Sequence, residues 1–197
     1  MINIKKVILV TIMAIMICPV NVEAFEMPTG RTKMEQGLKQ YIEEVCEEYN
    51  VCPDLVIAMA ERESGLKYNA RSSVGCIGLL QIYPKYNRDR MKRLGVTDLT
   101  NPKQNALVAI DLIAELFDKY GEVYAVLMYY NGGYGSKYGL KAYERGNISN
   151  YAKQIAKRSE ELQAIREYDE AMKNRELFED LANDIKRRYL EWKNCKD

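Results

Sequence analysis

The segment from Pro53 to Ser64 constrains the fold most, because its middle is apolar all the way round a helix. Between Asp54 and Glu61 the chain reads Leu-Val-Ile-Ala-Met-Ala, with no polar face to turn toward solvent. Proline suits the first turn of a helix and glycine suits its end, so Pro53 and Gly65 predict where this helix begins and ends. A helix without a polar face must lie inside a core, enclosed by other elements.

Those other elements also show helical spacing. Apolar residues recur in steps of three and four over residues 35–49, and again over residues 102–120 after Asn101. Gly121 is placed to end the second of these helices, and residues 122–130 form a further apolar segment. No long segment alternates apolar and polar residues, as half-buried strands do. The sequence therefore predicts an all-α fold.

The C-terminal part of the chain differs in composition. After Gly146 there is no Gly or Pro, and from Lys157 onward 21 of 41 residues are charged. We expect residues 158–197 to form a charged amphipathic helical extension, which either packs back on the domain or binds a partner. The stripe does not keep a strict heptad, so it does not predict a coiled coil. Its apolar residues are Leu162, Ile165, Met172, Leu181, Ile185, Tyr189 and Trp192.

Residues 1–24 have the order of a secretory signal peptide. Lys5 and Lys6 precede an apolar run of 14 residues (7–20) and a small-residue cleavage site. As a helix this run would span ~21 Å, short of a ~30 Å bilayer core, although a retained membrane anchor is the alternative. We expect cleavage and export to the periplasm, the cell wall or the medium, with residues 25–34 as a short linker.

The absence of histidine excludes several chemistries. A Ser-His-Asp triad, a Cys-His dyad and an H-E-x-x-H zinc site all need an imidazole. Catalysis must therefore rest on carboxylates, tyrosines, lysines, cysteines or the backbone. A net charge of +1 provides no broad basic surface, which argues against nucleic acid as a partner.

Export would allow disulfides among the four cysteines that follow the signal peptide. Cys46 and Cys52 lie close together across a helix-to-helix turn and could pair, but four cysteines allow three full connectivities. The alternative is that they are small buried apolar residues. The four are Cys46, Cys52, Cys76 and Cys195.

One glutamate lies where a general acid could be. Steps of three and four from Val56 lead through Met59 to Glu63, which places this carboxyl on the inward face of its helix. Desolvation and the negative end of the helix dipole both raise the pKa of such a carboxyl. A glutamate that stays protonated near neutral pH can protonate a leaving oxygen. Taken alone, a glutamate at a helix end is more often solvated or capping.

Four short motifs set Glu63 in a wider pattern. They are Glu63-Ser64, Gly78-Leu79-Leu80-Gln81, Tyr130-Asn131 and the lone Tyr151. In this order they resemble the motifs of the soluble-type (SLT) lytic transglycosylases, relatives of goose-type lysozyme. The resemblance covers residues 35–157 and implies a lysozyme-like domain there.

The resemblance also implies roles. Glu63 is similar to the family's catalytic acid and base, and Tyr130 and Asn131 to the pair that orients the glutamate and the substrate. The implied substrate-binding residues are Ser64, Ser72, Gly78, Leu79, Gln81, Tyr130, Asn131 and Tyr151. The sequence departs from the family at Tyr129 and Cys76, where alanine is usual, and Cys76 is expected to be a buried thiol.

The implied reaction is lytic cleavage of the β-1,4 bond between N-acetylmuramic acid and N-acetylglucosamine in peptidoglycan. It leaves a 1,6-anhydro end and needs no metal or cofactor. A hydrolytic lysozyme of the same fold is the close alternative, with Asp89, Asp98 or Asp111 as a second acid. The other alternative is a wall-binding component of a secretion or conjugation apparatus, docked through residues 158–197.

Overall fold

The computed structural model describes residues 30–133 and 135–194, and the side chains of this part as far as Arg188. The predicted signal peptide (residues 1–24) and Cys195 lie outside the described residues, as do the side chains of Tyr189 and Trp192. Within this part of the chain, no helix is both long and apolar enough to cross a bilayer.

The described residues form helices without any strand beyond isolated bridges, which confirms the all-α prediction. The helices are α1 (Gln36–Glu48), α2 (Pro53–Ser64), α3 (Pro84–Arg93), α4 (Pro102–Tyr120), α5 (Val123–Gly132), α6 (Leu140–Tyr143) and α7 (Asn150–Asn194).

Helix α2 is the centre of the core, as its composition predicts. Every side chain from Leu55 to Ala60 is buried, and the helix packs against α1 and along α7. Pro53 occupies its first turn, and Gly65 ends it with a left-handed backbone at φ 59°. This position favours glycine because a Cβ there would strain the backbone.

Helix α4 forms the second layer, packing against α1, α3 and α5. The Asn101 side chain caps its first turn by accepting hydrogen bonds from the backbone N–H groups of Lys103 and Gln104. Gly121 ends it, again with a left-handed backbone. The bounds agree with the sequence prediction.

Helix α3 was not predicted, because its sequence is almost entirely polar. Its only strong local signal is Pro84 in the first turn. The helix is held by tertiary contacts instead: Arg90 and Arg93 form ion pairs with Asp111 of α4. A hydrophobic pattern cannot reveal a helix that is anchored through charge.

Helix α7 is continuous across residue 158, where the extension was expected to begin. Its packing on the core goes on through Leu162 and Ile165, both buried. Arg166 pairs with buried Asp54 of α2, and Asp169 pairs with Arg31. Beyond Asp169 the described side chains are almost all exposed.

The end of the expected linker is part of the fold. Met34 is buried in the core, and the carbonyl of Gly30 accepts a hydrogen bond from Arg158. Residues 30–35 therefore lie along α7 in an ordered path.

The three described cysteines are free thiols. Cys46 is fully buried, and this burial raises the pKa of its thiol to about 12. The suggested pairing of Cys46 with Cys52 is therefore not found. Cys76 was expected to be buried, but it is half-exposed.

Candidate active site

Glu63 lies in the last turn of α2 and is half-buried. Burial raises the pKa of its carboxyl, opposed in part by a hydrogen bond from Tyr151 and by the charge of Arg62. Desolvation is the largest of these effects because the charged form loses more water than the partners replace. The carboxyl is therefore easier to protonate than an exposed glutamate.

The Tyr151 hydroxyl, from the first turn of α7, donates a hydrogen bond to Oε1 of Glu63. The guanidinium carbon of Arg62 lies 5.9 Å from the centroid of the Tyr151 ring, within cation–π range. Burial and the nearby carboxylate raise the pKa of Tyr151 well above its usual value, so its hydroxyl remains a donor. Tyr151 thus orients Glu63 and favours its carboxylate form.

The Gly78–Gln81 motif forms a tight turn closed by two backbone hydrogen bonds. Ile77 N–H donates to Ile82 O at 2.9 Å, and Ile82 N–H donates to Ile77 O at 3.0 Å. Gly78 has φ 83°, and a Cβ there would lie 2.2 Å from the carbonyl oxygen of Leu99. Only glycine fits that approach.

Asn105 of α4 holds this turn from beneath and was missed by the sequence reasoning. It is fully buried. Its Oδ1 accepts from Leu80 N–H at 2.8 Å, and its Nδ2 donates to the carbonyls of Ile77 and Leu99 at 2.8 and 2.9 Å. The available signal was an asparagine on the apolar side of a long helix, where an unpaired amide would cost about 1–3 kcal/mol.

Tyr130 of α5 holds the same turn from the opposite side. Its hydroxyl donates to the carbonyl of Leu80 at 2.7 Å. The backbone N–H and the carbonyl of Leu80 are therefore both hydrogen-bonded. Burial, and after it the nearby charge of Glu63, raises the pKa of Tyr130 well above its usual value. The hydrogen bond to Glu63 comes from Tyr151, whereas the resemblance assigned its orientation to Tyr130 and Asn131.

A cleft of about 750 Å³ opens beside this cluster, between α3 and the end of α5. Tyr130 lines this cleft, and it is near enough to Glu63 for the charge of that carboxylate to act on its phenol. Asn131 is exposed at the cleft wall. Further lining residues are Cys76, Gln81, Tyr83, Tyr86, Arg90 and Tyr129.

Gln81 lines the cleft, and its backbone is strained. It has φ 47°, which is unusual for a residue with a Cβ. Its side-chain amide donates to the carbonyls of Ala70 at 3.3 Å and Gly78 at 2.9 Å. These bonds fix the side chain at the cleft wall and keep the turn in this conformation.

Three of the predicted substrate-binding residues have side chains that are buried in the core or hydrogen-bonded to the backbone. The Leu79 side chain is fully buried in the core, so it cannot touch a sugar. Ser64 Oγ bonds to the carbonyl of Ala60 and accepts from Lys67 N–H, which closes the end of α2. Ser72 Oγ accepts from Cys76 N–H within a turn.

Each candidate second acid is either hydrogen-bonded to other residues of the chain or exposed to solvent. Asp89 is exposed, and Asp98 accepts hydrogen bonds from Thr100. Asp111 is buried and is held by Arg90 and Arg93. In the part of the chain that the structure describes, no three His, Cys, Asp or Glu side chains are grouped so as to hold a metal ion.

The chain is similar to known transglycosylases in sequence and in fold. A transglycosylase of Enterobacteria phage PRD1 is 37% identical over 86 residues, covering 44% of this chain and 31% of the phage protein. The 70 kDa soluble lytic transglycosylase of Escherichia coli shares the fold with a TM-score of 0.55 at 17% identity, over 64% of this chain and 24% of that one. This chain therefore spans about a third or less of the length of these relatives.

The sequence model of the transglycosylase SLT domain matches residues 40–155, which is more than half of the chain. The matched range extends from α1 to the first turns of α7 and includes Glu63, the turn at residues 78–81, Tyr130 and Tyr151. The chain belongs to the transglycosylase SLT domain family.

Proposed function

We propose that this protein is a peptidoglycan lytic transglycosylase with Glu63 as its single general acid and base. The observation that supports this most directly is the half-buried carboxyl of Glu63, whose pKa is raised by burial and whose hydrogen-bond donor is a neutral phenol. Such a group can give up a proton and take one back within a single reaction.

In the first step the Glu63 carboxyl gives its proton to the oxygen between N-acetylmuramic acid and N-acetylglucosamine. The bond from that oxygen to the muramyl anomeric carbon breaks, and the N-acetylglucosamine portion leaves as an alcohol. Positive charge develops at the anomeric carbon while Glu63 becomes a carboxylate. Tyr151 stabilises this carboxylate because its hydroxyl donates to Oε1.

In the second step the Glu63 carboxylate takes the proton from the 6-hydroxyl of the same muramyl residue. The freed oxygen bonds to the anomeric carbon, and the product is a 1,6-anhydro ring. Glu63 ends protonated, as it began, so no water is consumed. In this proposal the sugar's hydroxyl and amide groups are bound by Asn131 and by the side-chain oxygen of Gln81, two residues that line the cleft.

Analysis of the products tests the proposal. Peptidoglycan digested with the protein should yield muropeptides whose muramyl ends are lighter by one water than reducing ends, as read by mass spectrometry. Reducing ends alone would instead identify a hydrolytic lysozyme. Binding to peptidoglycan without any soluble product would identify a wall-binding component.

We also propose that residues 1–24 direct export and are removed. The order of basic, apolar and small residues supports this. Mass spectrometry of the protein recovered from the producing cell should find an N-terminus at Phe25. An intact Met1 on a membrane-bound protein would identify a retained anchor instead.

A further inference from the structure

The C-terminal half of α7 leaves the domain as a free arm, which we define as residues 170–194. At 1.5 Å per residue it extends about 37 Å. Its described ion pairs join residues of the same helix, such as Arg175 with Glu179 and Asp184 with Arg187. In proteins most of the stability of a helix comes from packing its apolar face against another element.

The free arm carries an exposed apolar stripe. Its exposed fractions are Leu177 68%, Phe178 71%, Leu181 54% and Ile185 47%. At 100° per residue these four side chains fall within an arc of about 100° on one face. Large exposed apolar side chains grouped on one face mark a surface that another element covers.

The charges around this stripe are separated along the helix. Residues 176–184 contain four acidic residues and no basic one, whereas residues 186–188 are three consecutive basic residues. The acidic section is followed by the basic one with only Ile185 between them. A helix with this order is complementary to a copy of itself that runs in the opposite direction.

We propose that the free arm pairs with the free arm of a second copy of this chain as an antiparallel two-helix contact. The two-fold axis would pass near Asn183, so that each residue faces the one equally far on the other side of that position. Leu181 then lies opposite Ile185 of the second copy, and Phe178 lies opposite the aliphatic stem of Arg188. The apolar stripe of each arm is covered by the other.

The same register pairs the flanking charges. On the helical wheel, one edge of the stripe is flanked by Lys173, Asp180, Arg187 and Glu191. Across the axis near Asn183, Lys173 meets Glu191 of the second copy and Asp180 comes within reach of Arg187. Charges beside an apolar seam set the orientation of paired helices.

A parallel pair would bring like charges side by side. The four acidic residues of one arm would lie level with the same four of the other, and the basic residues likewise. Such contacts repel and select against that arrangement. The antiparallel form is therefore the one that both the stripe and the charges favour.

Sedimentation equilibrium on the protein as recovered from the cell tests the association. We expect its apparent mass to rise toward twice that of the monomer as concentration increases to about 200 μM. Leu181→Glu puts a charge into the stripe and should weaken association at least tenfold. Asn183→Glu puts the same charge about 200° away from Leu181 on the helix and should associate at least tenfold more tightly than Leu181→Glu.

Circular dichroism and a thermal melt establish that both variants keep the folded domain, since neither position packs on the core. A monomer at every concentration would overturn the proposal and leave the arm to a different partner. Equal weakening by Leu181→Glu and Asn183→Glu would overturn the assigned face.

Zero-length cross-linking tests the orientation. A mixture of ¹⁴N- and ¹⁵N-labelled protein is treated with a carbodiimide, and mixed-isotope peptides identify links between copies. We expect a link between Lys173 of one copy and Glu191 of the other. A dimer whose links between copies join Glu191 to Lys193 and Glu176 to Lys173 would be parallel and would overturn the antiparallel register.

Discussion

Glu63 and Asp111 are both shielded carboxylates within the same domain, but their surroundings differ. Asp111 is 7% exposed and accepts hydrogen bonds from the guanidinium groups of Arg90 and Arg93. Glu63 accepts its hydrogen bond from the neutral hydroxyl of Tyr151. A carboxylate paired with two guanidinium groups, such as Asp111, joins two helices. A carboxyl whose hydrogen-bond donor is a neutral phenol, such as Glu63, is free to exchange a proton. The difference in partners, more than the depth of burial, separates the structural acid Asp111 from Glu63, the proposed catalytic acid.

The largest expected effect follows from Glu63→Gln. The amide keeps the size of the side chain but cannot donate or accept the proton, so turnover of peptidoglycan should fall about a hundredfold or more. Release of soluble muropeptides measures this, and a far-ultraviolet spectrum like that of the wild type confirms the fold. Turnover within a few-fold of the wild type would sink the assignment of Glu63.

Tyr151→Phe should have the second largest effect, a loss of about tenfold in turnover, since one hydrogen bond to a charged group is removed. That bond lowers the pKa of Glu63, so its loss should raise the pKa further. The acid form then persists to higher pH, and the alkaline limb of the activity profile should move upward. An unshifted limb would mean that Tyr151 does not control the protonation of Glu63.

Asp111→Asn is the matched change at the structural acid. It leaves the charges of Arg90 and Arg93 without their partner and should cost about 2–3 kcal/mol in the free energy of unfolding. Turnover of the folded protein should stay within about twofold of the wild type. Urea unfolding and the muropeptide assay measure the two quantities. A hundredfold loss of turnover here would point to Asp111 as the second acid of a hydrolase.

The smallest expected effect is a pH-dependent gain in stability from Glu63→Gln. Because burial raises the pKa of Glu63 above its ordinary value of 4.5, the folded state holds its proton more tightly than the unfolded state. Stability is therefore lost as pH rises from the unfolded pKa through the folded pKa. The variant should have a higher melting temperature than the wild type at pH 7, and a smaller advantage at pH 4. An equal difference at both pH values would contradict this.

Much of the domain could be predicted from the sequence because its signals are local. The bounds of α2 followed from an apolar run between Pro53 and Gly65, and those of α4 from Asn101 and Gly121. Helix α3 could not be predicted, because charge pairs with a distant aspartate hold it. Asn105 could not be predicted either, because its three hydrogen-bond partners are backbone groups 6 to 28 residues away in the sequence.

By itself the sequence determined the all-α class, the central helix and the inward position of Glu63, since helical periodicity and end signals act over a few residues. Only the tertiary structure decided which side chains meet. It paired Tyr151 with Glu63 across 88 residues, turned Leu79 into the core and directed Tyr130 to the carbonyl of Leu80. It also divided α7 at Asp169 into a packed half and a free half. Such choices depend on which surfaces come together when the helices pack, and no local pattern along the chain records them.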